Sequence, residues 1–154
     1  MRIAVIVPYS PQYLDSIAEL EKRAFPVGAY SKQMLRRVFN DPKSFSFVLL
    51  DGDKVVGYVS AIPLDESSAD IESIAVDPNY QGQGYGRELM KIIEEEMKKR
   101  GFSVSVLEVR DKNEKALKFY LSNGYRIVKH IPSYYHEYYE GSRGAYRMAK
   151  NLVT

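Results

Sequence analysis

The sequence predicts an α/β domain of the α+β kind, with a largely antiparallel sheet of about six to seven strands flanked by four helices. Three observations carry this expectation. β-rich runs at 44–50 and 54–62 surround Asp51-Gly52-Asp53, a hairpin signal. A strand-like run from Asp70 to Val76 passes through Gly82, Gly84 and Gly86 into a long amphipathic helix. The 154 residues suit one domain, 1–154, with no internal repeat, low-complexity tract or linker.

Each element has a local reason. Residues 2–8 begin a strand, with Ile3, Val5 and Val7 on one face. Ser10-Pro11 reads as N-cap and first helical residue, and Leu14, Ile17 and Ala18 form the stripe of a helix ending near Phe25-Pro26. Ser31 caps a second helix, with Leu35, Val38 and Phe39 inward, which stops at Asn40-Asp41-Pro42. Polar residues Asp65 to Ala69 separate the hairpin from the run at Asp70–Val76. The helix from Gly84 to Arg100 places Leu89, Met90, Ile93 and Met97 on one side and ends at Gly101. Residues 103–109 form a buried strand, 113–122 a short helix closed by Asn123-Gly124, and Tyr125–Ile131 and Ala145–Leu152 the terminal strands.

Composition excludes several function classes. Hydrophobic residues at 45% and charged residues at 27% rule out wholesale disorder. With 22 Lys+Arg against 20 Asp+Glu, a net charge of +2 gives no reason to expect nucleic acid as partner. The absence of Cys excludes a disulfide framework, a thiolate zinc site and a cysteine acyl-enzyme. Two histidines, His130 and His136, are too few for a histidine metal cluster, so no metal is expected. No run approaches the ~20 apolar residues of a membrane span, and the opening run is too short for a signal peptide. A soluble cytoplasmic domain with no membrane partner is expected; charge gives no clue to oligomeric state. Tyr is unusually frequent: seven of 13 lie between Tyr120 and Tyr146.

Glycines before a helix leave backbone N–H groups open where the helix dipole favours an anion such as a pyrophosphate. No Gly-Lys-Ser/Thr follows, so this is not a P-loop, and the G-x-G-x-G spacing is not the dinucleotide fingerprint. Glycines alone fit a flexible turn equally well. The fuller run Ile74-Ala75-Val76-Asp77-Pro78 followed by Gln81-x-x-Gly84-x-Gly86 resembles the acyl-CoA signature of the GNAT N-acetyltransferase superfamily, and the element order resembles that fold across nearly the whole chain. The resemblance implies acetyl-CoA as co-substrate, with Ile74, Ala75 and Val76 along the pantetheine arm. It implies pyrophosphate binding by Gln81, Gly82, Gln83, Gly84, Tyr85, Gly86 and Arg87, with Asn113, Ala116 and Tyr120 also at the cofactor.

Leu107-Glu108-Val109-Arg110, then Asn113, Ala116, Tyr120, Gly124 and Tyr125, is similar to the ribosomal-protein N-terminal alanine acetyltransferases, with Tyr125 where Phe is usual. Ala24-Phe25-Pro26-Val27 matches that group's substrate-side loop. Ser133-Tyr134-Tyr135, Gly141 and Ala145-Tyr146-x-Met148 resemble the NatA-type catalytic subunits. Protein N-termini are the implied substrates, and the ribosome or an auxiliary subunit enters consideration as a partner.

Glu108 then takes the place of the general base; the alternative is a glutamate that is solvated or ion-paired next to Arg110. Asp70 is a reserve base, and alternation puts it on one strand face with Glu72, a candidate for the substrate ammonium. Tyr120 is the candidate general acid, against a half-buried core tyrosine; Asn113 is an N-cap, a cofactor contact, or both. Phe25, Pro26, Val27, Tyr30, Tyr134 and Tyr135 are substrate-side candidates, since tyrosine rings flank a side chain while their hydroxyls bond a backbone. The alternative for the tyrosine cluster is a partly packed hairpin tip. NatA-type sequences often carry Glu in the first loop, where this chain has Val27-Gly28. Direct attack on N-terminal amines is the leading expectation. A small-amine or lysine acetyltransferase, and an acetyl-CoA-binding regulatory module, are the alternatives.

Overall fold

A computed structural model describes residues 4–153. The chain runs β1 (Val5–Pro8), α1 (Leu14–Ala24), α2 (Lys32–Asn40), β2 (Phe45–Asp51), β3 (Lys54–Pro63), β4 (Ser68–Val76), α3 (Tyr85–Lys99), β5 (Val104–Arg110), α4 (Glu114–Ser122), β6 (Arg126–Ile131) and β7 (Ala145–Asn151). The expected element order is matched among the described residues; Ile3 lies outside them. Val5 is exposed, whereas Val7 packs under α1 and α2. The Ser10-Pro11 start becomes a 3-10 turn, Pro11–Tyr13, ahead of α1. Ser31 caps α2 by accepting from Met34 N at 3.2 Å.

The seven strands form one sheet in the order β1-β2-β3-β4-β5-β7-β6, and only β4 and β5 run parallel. Helices cover both faces. Ile17, Leu20, Leu35 and Phe39 of α1 and α2 pack on Val48, Tyr58 and Ala75. Leu89, Met90, Ile93 and Met97 of α3 pack with Leu49, Val59, Ile71, Leu107 and Met148, and Leu117 and Phe119 of α4 join them. Burying such aliphatic side chains contributes roughly 1.5–3 kcal/mol each, which makes the two apolar layers the main source of stability.

Two irregularities shape the centre of the sheet. Ser60 pairs with Ser73 but Ala61 pairs with Ile71, so Glu72 is an extra residue, a bulge in β4. Side-chain alternation reverses there: Ala69 and Ile71 face α3, whereas Ala75, an even number of positions on, faces α1 and α2. The bulge interrupts simple alternation at Glu72, yet Asp70 and Glu72, expected on one face, remain electrostatic neighbours and both act on Tyr30. Secondly, the β4–β5 ladder runs only from Ser68↔Val104 to Ile71↔Leu107. Beyond it Glu72–Val76 and Glu108–Arg110 continue unpaired with each other, leaving a cleft in mid-sheet.

Candidate active site

The cleft has a volume of about 630 Å³, and its walls come from the α1–α2 loop, the open ends of β4 and β5, the start of α4 and the β6–β7 loop. Ile74, Glu108, Asn113, Ala116 and Tyr120 line it, as do Phe25, Pro26, Val27, Tyr30, Glu72, Tyr134 and Tyr135. Candidates more than 100 positions apart in the sequence therefore meet at one place. Asp70 is not among the lining residues; it sits behind Glu108.

Glu108 is held from two sides. Arg147, its partner in the β5–β7 register, donates from Nε to Glu108 Oε2 at 2.9 Å. Asp70 hydrogen bonds Glu108 from β4. Burial, the neighbouring Glu108 charge and that hydrogen bond raise the Asp70 carboxyl to about 9, against the pull of Arg147. Asp70 therefore keeps its proton at neutral pH and donates to Glu108. The reserve-base role expected for Asp70 does not suit a carboxyl in that state. The ion-pair alternative for Glu108 also changes partner, from Arg110 to Arg147.

Arg110 turns to the β6–β7 loop instead. Its guanidinium lies 4.0 Å over the Tyr135 ring and donates to Glu137 O at 2.9 Å. The Glu137 carboxylate in turn accepts from Gly28 N at 3.1 Å. The two aromatic loops are thus joined across the cleft, and a carboxylate reaches the Val27-Gly28 segment from the opposite loop. Tyr134 meets Tyr135 edge-on at 4.9 Å, whereas Tyr138, further along, is exposed.

Beneath the first loop lies a buried polar post. Tyr58 Oη donates to Glu21 Oε1 and contacts Ser73 Oγ at 2.9 Å, while Glu21 Oε2 accepts from Tyr30 N at 3.0 Å. Desolvation raises the Glu21 carboxyl in spite of these bonds. The post fixes Tyr30, whose hydroxyl, raised to about 12 mainly by burial, points at Glu72 O at 3.5 Å. Glu72 is also raised by desolvation, and its Oε1 is buried with no hydrogen-bond partner among the described residues.

Tyr120 packs edge-on against Phe119 and Tyr125, at 5.3 and 6.2 Å, and burial raises its hydroxyl to about 12. It is both a packed tyrosine and a cleft-lining one. Asn113 caps α4 by accepting from Ala116 N at 3.1 Å, as its position predicts. Outside the cleft lining, α3 follows Gly84, whose φ of 88° lies in the left-handed region; no side chain caps this helix. A Cβ on Gly82 or Gly84 would meet nothing within 4 Å, so the loop faces open space. Such a helix end suits a phosphate group. Gln81 ties the loop to β4 through Nε2 to Val76 O at 2.9 Å, and Lys115 of α4 donates to Gln81 Oε1 at 3.0 Å. The Ala75 side chain is buried in the core under α1 and α2.

The acetyltransferase (GNAT) family model matches residues 14–125. The chain belongs to the GNAT acetyltransferase family. It is an acetyl-CoA-dependent N-acetyltransferase. N-alpha-acetyltransferase 30 of Schizosaccharomyces pombe is 33% identical over 137 residues, covering 86% of this chain and 91% of that protein. The [ribosomal protein bS18]-alanine N-acetyltransferase of Escherichia coli is 31% identical over 132 residues, covering 79% and 88%. A crystal structure of the ribosomal-protein-S18-alanine N-acetyltransferase from Escherichia coli superposes with a TM-score of 0.88 at 27% identity, covering 99% of this chain and 96% of that one.

Sequence reasoning missed Arg147, Glu137, Glu21 and Lys115. None of them had a local signal: strand order, loop closure and, for Lys115, the packing of α4 beside the Gln81 loop bring them to the site.

Proposed function

We propose that this GNAT enzyme transfers acetyl from acetyl-CoA to the free α-amino group of protein N-termini by direct attack. The observation that carries this reading is the pair of aromatic loops joined by Glu137 over a cleft whose floor holds Glu108. A peptide's first residues fit between Phe25–Tyr30 and Tyr134–Tyr135, with their amine toward the gap between β4 and β5. The names of the two relatives, an N-alpha-acetyltransferase and a ribosomal-protein alanine N-acetyltransferase, support the same substrate class.

On this reading the backbone of Ile74, Ala75 and Val76 would hold the pantetheine arm and the amides of Gln81–Arg87 the pyrophosphate, with Lys115 adding positive charge. The amine nitrogen attacks the thioester carbon; its C–N bond forms, the C–S bond breaks, and the amine proton passes to the Glu108 carboxylate, directly or through one water. An α-amine with pKa about 7.7–8.0 is appreciably neutral at pH 7, whereas a lysine near 10.4 is not. A weak base suffices for the first.

Tyr120, held near 12, stays protonated throughout the working range. Proton transfer from it to a thiolate of cysteine-like pKa, about 8.5, runs uphill. Its contribution is a hydrogen bond that stabilises the developing thiolate, which leaves as the CoA thiolate and takes its proton from solvent.

The test is acetyl-CoA turnover on peptides beginning Ala, Ser, Met-Leu and Met-Glu, beside N-terminally blocked, lysine-containing controls. Acetylation confined to free α-amines is expected. Transfer to the blocked peptides would make it a lysine enzyme. Silence across the panel would move the substrate to small amines.

A further inference from the structure

We propose that Arg147 is a positioning residue for the acetyl-transfer site: it holds Glu108 as the ionised member of the Asp70–Glu108 pair and leaves the shared proton on Asp70. The inference rests on the reading of Glu108 as base and adds a residue to it. Three strands converge to build the unit. β7 places Arg147 directly opposite Glu108, with Nε to Oε2 at 2.9 Å, and β4 places Asp70 opposite Val106, two positions before Glu108 on β5. Glu108 thus accepts from a guanidinium on one side and from a carboxylic acid on the other.

Two carboxyls this close do not both ionise readily, and one cation decides which does. The ion pair is made to Glu108, the member that lines the cleft, and not to Asp70 behind it. The other charged or titratable groups facing the pair do not compete for that role. Glu72 of β4 adds negative charge that favours a proton on Asp70. Tyr30 and Tyr135 from the two loops, and Tyr134, stay neutral because burial raises each hydroxyl. Arg110 is engaged with Tyr135 and the Glu137 carbonyl.

The arrangement makes a testable division of labour. Removing the guanidinium leaves a largely buried carboxylate without its counter-ion, so the proton is no longer confined to Asp70. For Arg147→Met the acid limb of kcat/KM on an α-amine peptide should move up by about one pH unit. Arg147→Lys, which keeps the charge, should return most of that shift. Circular dichroism establishes that each variant is folded. A merely structural Arg147 would lower activity at all pH values without moving the limb, and that outcome overturns the proposal.

A second readout needs no turnover. Carbon-13 carboxyl NMR of the free enzyme should show one site group titrating well above the ordinary carboxyl range, lost in Asp70→Asn and displaced in Arg147→Met. An Asp70 carboxyl titrating in the ordinary range would overturn the proposal. Because the spectra are taken without substrate, they decide the matter even if the peptide panel redirects the substrate class.

Discussion

The two halves of the proposed site are built from different materials. On the proposed reading the donor half is backbone: the open end of β4, two glycines in the left-handed region and the uncapped start of α3. The acceptor half is side chains: tyrosines from two loops, Glu137 spanning them, and the Asp70–Glu108–Arg147 unit on three strands. A backbone site recognises what every acyl-CoA shares and tolerates varied side chains at its surface. A side-chain site can be retuned one residue at a time. On the proposed reading, the difference separates the chemistry of transfer from the choice of amine.

Substitutions can test that division. The largest effect is expected at the floor of the acceptor half. Glu108→Gln should lower kcat/KM by about 10²–10⁴-fold while calorimetry shows acetyl-CoA binding intact. Equal activity would remove Glu108 from the chemistry. Tyr120→Phe, at the junction of the halves, should reduce kcat by about 10–100-fold with donor affinity retained. A loss of donor binding instead would assign Tyr120 to the donor half.

In the donor half, Gly84→Val forces a branched side chain into a left-handed conformation at a cost of about 1–2 kcal/mol. Acetyl-CoA affinity should fall by about tenfold, with peptide affinity in the loaded enzyme unchanged. Tyr135→Ala should do the reverse, raising peptide KM several-fold and sparing donor affinity. If both variants move both affinities, the halves are not separable.

The smallest effect concerns stability and pH. Asp70 is held near 9 in the fold, against about 3.9 in an unfolded chain. Between those values the folded state keeps a proton that the unfolded chain has released, so this group's contribution to stability declines as pH rises through the window. Asp70→Asn should flatten that decline, so the variant's melting temperature should fall less than the wild type's between pH 5 and pH 8.

The same contrast explains how much was legible in the sequence. Helices and strands were readable because capping residues such as Ser31 and Asn113, and apolar spacing such as Leu89, Met90, Ile93 and Met97, act within a few residues. The segment from Ile74 to Arg87 stood out because it is continuous, but the glycines alone fit a turn equally well and only the resemblance gave them a role. The acceptor half was only partly legible. Glu108, Tyr120, Tyr134 and Tyr135 stood out as types, but their partners did not. The bulge at Glu72 depends on the pairing of β3 with β4 and has no signal in the alternation itself. Glu108 pairs with Arg147 rather than its neighbour Arg110 because β7 inserts between β5 and β6, against chain order.

That insertion also bears on how the molecule is made. During synthesis β5 and β6 emerge before β7, the strand that must lie between them. Until residues 145–151 are available, β5 presents a bare edge and Glu108 has no cation beside it. The sheet is completed by long-range pairing that is slow to form. A nascent chain lacking β7 should therefore carry the glycine loop and α3 while Glu108 still lacks its ion-pair partner, so on the proposed mechanism acetylation competence arrives with the pairing of β7.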